Sequence, residues 1–153
     1  MSESAAILIE LGLRHPASGL LPAGPTERAQ VVRGLVYVAA NCYPMIGVID
    51  YPQRLQPGDE PAVKAAHGAL RAGSRQRLHG LWDQFADQFP ARPWLNGQAL
   101  GALDLLATVV SKWSGSRAHL RAGRPALADL FERVGTHPVV GPVLARHWPP
   151  ARR

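Results

Sequence analysis

Apolar residues recur along this chain at spacings of three and four, and no credible run of alternating strand residues interrupts them, which predicts an all-α protein. Glu3 to Leu13 is a short predicted helix carrying Ile7, Leu8 and Leu11, with Gly12 and Pro16 as stop signals. A Pro/Gly-rich connection, His15 to Pro25, follows and is the one place a domain boundary is expected. Thr26 is the expected N-cap of a second helix running through Val31, Leu35, Val38 and Cys42, and Pro44 should kink or stop it. Asp59-Glu60-Pro61 opens a third, with the stripe Leu70, Leu78, Leu81, Trp82, Phe85 and Phe89, ended by Phe89-Pro90. A fourth, mostly buried helix starts at Gly101 and carries Leu103, Leu106, Val110 and Trp113. Pro125 opens a helix with Leu127, Leu130, Phe131 and Val134, and Pro138 one with Val139, Val143 and Leu144. The sum is a bundle of five or six helices.

The start of the fourth helix is the best-defined local signal. Gly101 stands at the N-cap, Asp104 at N3 can reach back to the cap's N–H, and Leu100 can pack on Leu105 as a staple.

Composition narrows the picture little. No uninterrupted run of about 18 apolar residues occurs, so no membrane span is expected. The N-terminus has no basic region before its apolar residues, so no secretory signal is read there. A single cysteine, Cys42, excludes an internal disulfide and fits a reducing, cytoplasmic setting. The net charge of +6 invites an anionic partner, yet the arginines are spread. Only Arg71, Arg75 and Arg77 crowd together with His79, without the interleaved aromatics of a nucleic-acid surface.

Candidate chemistry is sparse. None of the six histidines has metal-ligand spacing with another, so no metal site is expected. Cys42 lies in mid-helix with no flanking base and reads as a core thiol. Tyr43, beside the Pro44 kink, can place a hydroxyl in a cleft or simply pack, and Trp113 is either core or the wall of an apolar pocket. Glu3-Ser4, at the first helix start, offers a hydroxyl and free N–H groups to a carboxylate, or is only a cap.

A set of short motifs in a fixed order adds context. Glu3-Ser4-Ala5-Ala6-Ile7, His15-Pro16, Leu20-Leu21-Pro22 and Glu27-Arg28-Ala29 lead into Asn41-Cys42-Tyr43-Pro44. Pro93-Trp94-Leu95-x-Gly97, Leu103-Asp104, Ser111-Lys112-Trp113 and Arg133-Val134-x-x-His137-Pro138 continue the series. Together they resemble a bacterial glutathione S-transferase from the last helix of its thioredoxin-like domain onward.

The resemblance implies that residues 1–22 correspond to that last helix plus a linker, and residues 23–153 to the C-terminal helical domain. It implies that Glu3 and Ser4 bind the γ-glutamyl carboxylate of glutathione. It also implies that residues near Tyr43 and Trp113 wall the pocket for a small hydrophobic electrophile, and that Asp104 is structural. The family's catalytic Ser, Cys or Tyr and its cis-proline belong to a preceding segment with no counterpart here. The chain is therefore expected to be a truncated transferase, inactive alone, whose complete form conjugates glutathione to electrophiles or uses it in isomerisation. The competing expectation is a non-catalytic helical interaction module, with a homodimer or docking partner and no membrane or nucleic acid.

Overall fold

The computed structural model describes residues 2–149 and is all-α, with no strand among them. Helix α1 spans Ser4–Arg14, α2 Pro25–Tyr37, α3 Tyr43–Asp50, α4 Pro61–Gln88 and α5 Ala102–Val110. Helices α6 (Ser116–Gly123), α7 (Pro125–Thr136) and α8 (Gly141–His147) complete the bundle.

Helix α5 is the centre. Ala102, Leu103, Asp104, Leu106, Ala107, Thr108 and Val110 are all buried on it, so it presents core on nearly every side. Helices α1, α2 and α7 pack around it, and α4 joins through α3 and α6. On the long helix α4, Leu78, Leu81, Trp82 and Phe85 are buried in its second half, as the sequence stripe predicts, while Leu70 is only partly covered. Gly34 lets α2 approach α5: a Cβ there would stand 2.5 Å from Leu103 Cδ2.

Pro44 does not stop the second helix. Residues Val38–Cys42 form a π turn, with the Tyr43 N–H donating to the Val38 carbonyl, and α3 continues the helical stretch without a break to Asp50. The wider turn gives room for a proline ring that would otherwise press on the carbonyl four residues back. The resulting helix, Pro25–Asp50, has a mean hydropathy of 1.4 over its most apolar window and by length and composition can cross a membrane. The burial of Val31, Leu35, Val38, Cys42, Ile46 and Ile49 against the bundle accounts for its apolar stripe as core.

Other boundaries also differ from the sequence reading. Gly24, not Thr26, is the N-cap of α2, because Pro25 with its fixed φ takes N1. Helix α5 ends at Val110 and leaves Trp113 in the turn beyond. Helix α8 starts at Gly141 with Pro142 in its first turn, not at Pro138. Of its expected apolar residues only Leu144 turns inward, while Val139 and Val143 are exposed. Helix α6 is an addition to the predicted set: SRAHLRAG has one buried apolar side chain, Leu120, and so no stripe to read.

Candidate functional site

Four side chains singled out from three separate stretches of sequence line one cavity. Glu3 and Ser4 at the start of α1, Tyr43 after the π turn and Trp113 after α5 enclose a space of about 340 Å³. Ala5, Ala39, Leu106, Val109 and Val110 complete its wall. Tyr43 meets Trp113 edge-on, with ring centroids 6.1 Å apart, and is itself 55% exposed. The Leu106–Val110–Trp113 part of this wall follows the i, i+4, i+7 spacing visible in the sequence. Ala39 was not anticipated, because it reaches the cavity through the π turn.

The polar end of the cavity is the first turn of α1. Glu3 is the N-cap and makes no side-chain cap hydrogen bond, and its carbonyl takes the first intrahelical bond from the Ile7 N–H at 3.0 Å. The N–H groups of Ser4, Ala5 and Ala6 therefore have no partner within the helix. Glu3 holds φ = 65°, in the left-handed region that a non-glycine residue seldom adopts. An exposed hydroxyl, three helix-start N–H groups and the positive end of the helix dipole stand together here, beside the Glu3 carboxylate. Beside it the aliphatic and aromatic wall accepts an apolar group.

Asp104, in the first turn of α5, is fully buried. Its Oδ1 accepts the Leu95 N–H at 2.8 Å, and its Oδ2 accepts those of Asn96 (3.2 Å) and Gly101 (3.0 Å). Burial, the larger effect, pushes the carboxyl above its ordinary range, against these backbone N–H groups, which pull it down. The loop it holds is bonded onward: Asn96 Nδ2 donates to the Gly19 carbonyl at 3.1 Å. The Ala102 N–H donates to the Leu20 carbonyl at 2.9 Å. Asp104 thus faces backbone donors and no cavity.

The remaining candidates have structural surroundings. Cys42 is fully buried in the core, and burial pushes its thiol up to about 12. His67 Nε2 donates to the Gln56 carbonyl at 2.6 Å. The rings of His79 and His119 stack with centroids 4.4 Å apart, and His119 Nε2 lies 3.0 Å from Asp83 Oδ2. Among the described residues no three His, Cys, Asp or Glu side chains converge as a metal site would require.

No protein-family model matches the chain. A curated Escherichia coli (strain K12) protein, the uncharacterized GST-like protein YncG, is 26% identical over 147 residues. The match takes in 96% of this chain and 68% of that protein's length. Along nearly its whole length, then, the chain is similar to a GST-like protein.

Proposed function

We propose that the chain forms the helical part of a glutathione transferase-like protein, with the Glu3–Ser4–Tyr43–Trp113 cavity as the meeting point of glutathione and a small hydrophobic electrophile. The convergence of those four residues on one cavity carries the reading. In it, Ser4 and the first N–H groups of α1 receive the γ-glutamyl carboxylate. Tyr43, Trp113 and the aliphatic residues of α5 hold the electrophile. Residues 1–22 act as the last helix of the glutathione-binding half, and the body from residue 23 onward as the C-terminal helical domain. The thiolate must still be generated by a group that stabilises it, and none of these cavity residues is assigned that role. In this reading the protein works in the reducing cytoplasm.

The test is displacement of an apolar fluorescent probe, 8-anilinonaphthalene-1-sulfonate, by S-hexylglutathione. Val109→Glu should weaken probe binding by about tenfold, near 1.4 kcal/mol, by putting a charge into the wall. Ser4→Ala should make S-hexylglutathione a poorer competitor. Equal probe affinity in Val109→Glu, or competition indifferent to Ser4, refutes the reading.

One observation favours a second reading. Helix α1 exposes Ile7 and Leu11, one turn apart, an apolar face of the kind that receives another protein surface. In a transferase that face carries the rest of the glutathione-binding half; in an interaction module it carries a partner, and the cavity stays empty. Loss of probe displacement together with self-association that Leu11→Glu abolishes would favour the module.

A further inference from the structure

A second cavity, of about 290 Å³, opens where the end of α5 meets α6, α7 and α8, and it has a surplus of positive charge. Thr108, Lys112, Arg117, Phe131, Glu132 and Trp148 line it. The Arg117 side chain is only 22% exposed and is locked in place. Its Nε donates to Ser111 Oγ at 2.7 Å and its Nη2 to the Thr108 carbonyl at 3.0 Å, while the guanidinium lies 4.7 Å from the centre of the Phe131 ring. Glu132 is the one carboxylate of the lining, and it is shared. Its Oε1 takes the Arg121 Nη2 at 2.8 Å and stands 3.6 Å from Arg117 Nη1.

Lys112 is half-buried and has no carboxylate within salt-bridge distance among the described residues. Its ammonium instead lies 5.1 Å from the centre of the Trp148 ring. Three cations, Lys112, Arg117 and Arg121, thus surround one carboxylate. Burial disfavours the charged forms of both Lys112 and Arg117, a cost that a neighbouring anion offsets. Thr108 is buried in the same wall, and its hydroxyl has no hydrogen-bond partner. An unpartnered hydroxyl and an unpaired ammonium beside a surplus of positive charge disfavour a cation and give an apolar ligand nothing to satisfy.

We propose that this cavity binds a small tetrahedral oxyanion, phosphate or the phosphate group of a small ester, with Lys112 as its ion-pair partner and Arg117 as fixed positive background. Its donors are the Thr108 hydroxyl on α5 and the Lys112 ammonium in the turn after it, set beside the fixed charge of Arg117. The site shares no lining residue with the Glu3–Trp113 cavity and does not rest on the transferase reading.

The test is titration of the ¹⁵N-labelled full chain with sodium phosphate, and separately with phenyl phosphate, at constant ionic strength set by chloride. The Trp148 indole N–H, identified by Trp148→Phe, is the reporter. Saturable shifts with a Kd on the order of 1 mM are expected for phosphate, or for phenyl phosphate if an ester is the natural occupant. Lys112→Met should weaken binding about tenfold with an unchanged circular dichroism spectrum and unfolding midpoint, and Lys112→Arg should restore most of it. Absence of saturation with both anions, or equal affinity in Lys112→Met, overturns the proposal.

Discussion

Replacing Asp104 should reveal how many hydrogen bonds one carboxylate supports. It accepts three backbone N–H groups, all within 3.2 Å, and is fully buried. Asp104→Ala removes the acceptor from all three donors. A buried donor left without a partner costs about 1–3 kcal/mol, so with partial rescue by water the expected loss is about 3–5 kcal/mol. Asp104→Asn keeps the volume and one carbonyl oxygen. Turned toward Asn96 and Gly101, that oxygen retains two bonds, while the amide NH₂ confronts the Leu95 N–H. The expected loss is then about 1–3 kcal/mol, clearly less than for alanine. Urea unfolding followed by circular dichroism measures both, with an unchanged m-value as the sign that the folded and unfolded states stay comparable. Amide exchange at Leu95 and Asn96 should quicken in both variants. An alanine variant within about 1 kcal/mol of wild type would refute the count of supported donors. So would an asparagine variant as damaged as alanine, since it would place the whole effect in the charge.

Three further outcomes follow from the packing. Gly34→Ala drives a Cβ to 2.5 Å from Leu103 Cδ2 in a filled core; overpacking should outweigh the better helix propensity and lower stability by about 1–2 kcal/mol in urea unfolding. Cys42, with its thiol pushed up to about 12, should resist iodoacetamide at pH 8 in the folded protein and react readily in urea; fast labelling of the native chain would contradict its burial. Burial first, and then the neighbouring His119, hold the His79 ring below its ordinary range. Because the unfolded chain takes up that proton more readily, His79 contributes stability present above the unfolded value and lost as pH falls through the folded one. Lowering the pH from 7 should lower the unfolding midpoint, less steeply in His79→Gln, and equal slopes would refute the assignment.

What the sequence revealed depended on whether a residue's role is local. The Asp104 cap was readable because Gly101 and Asp104 lie within one turn, whereas its bonds to Leu95 and Asn96 cross a loop that no periodicity describes. The buried stripes of α2 and α4 were readable because burial on one face leaves a period of three and four. Helix α6 left no such trace, since Leu120 is its one buried apolar side chain and Arg117, which also packs inward, reads in the sequence as a surface charge. Of the two outcomes expected at Pro44, a kink or a stop, the stop does not occur: a proline ends a helix only if the helix keeps its α pitch, and the π turn at Val38–Cys42 removes that condition.

The π turn and the cap together fix the candidate site. Without the extra residue in the turn, the side chains after Val38 would each rotate by about 100° around the helix, and Tyr43 would leave the face it shares with Trp113. On the other side, α1 is positioned through the loop that Asp104 holds. From that loop Asn96 reaches the Gly19 carbonyl, and from the first residue of α5 the Ala102 N–H reaches that of Leu20. These bonds set where the segment carrying Glu3 and Ser4 lies against α5, whose Leu106 and Val110 form the cavity floor. A buried carboxylate that lines no part of the cavity is therefore bonded, through two loops, to the segment that follows α1. Loss of Asp104 should loosen probe binding there even under conditions in which the variant remains folded, separating its positioning role from its contribution to stability.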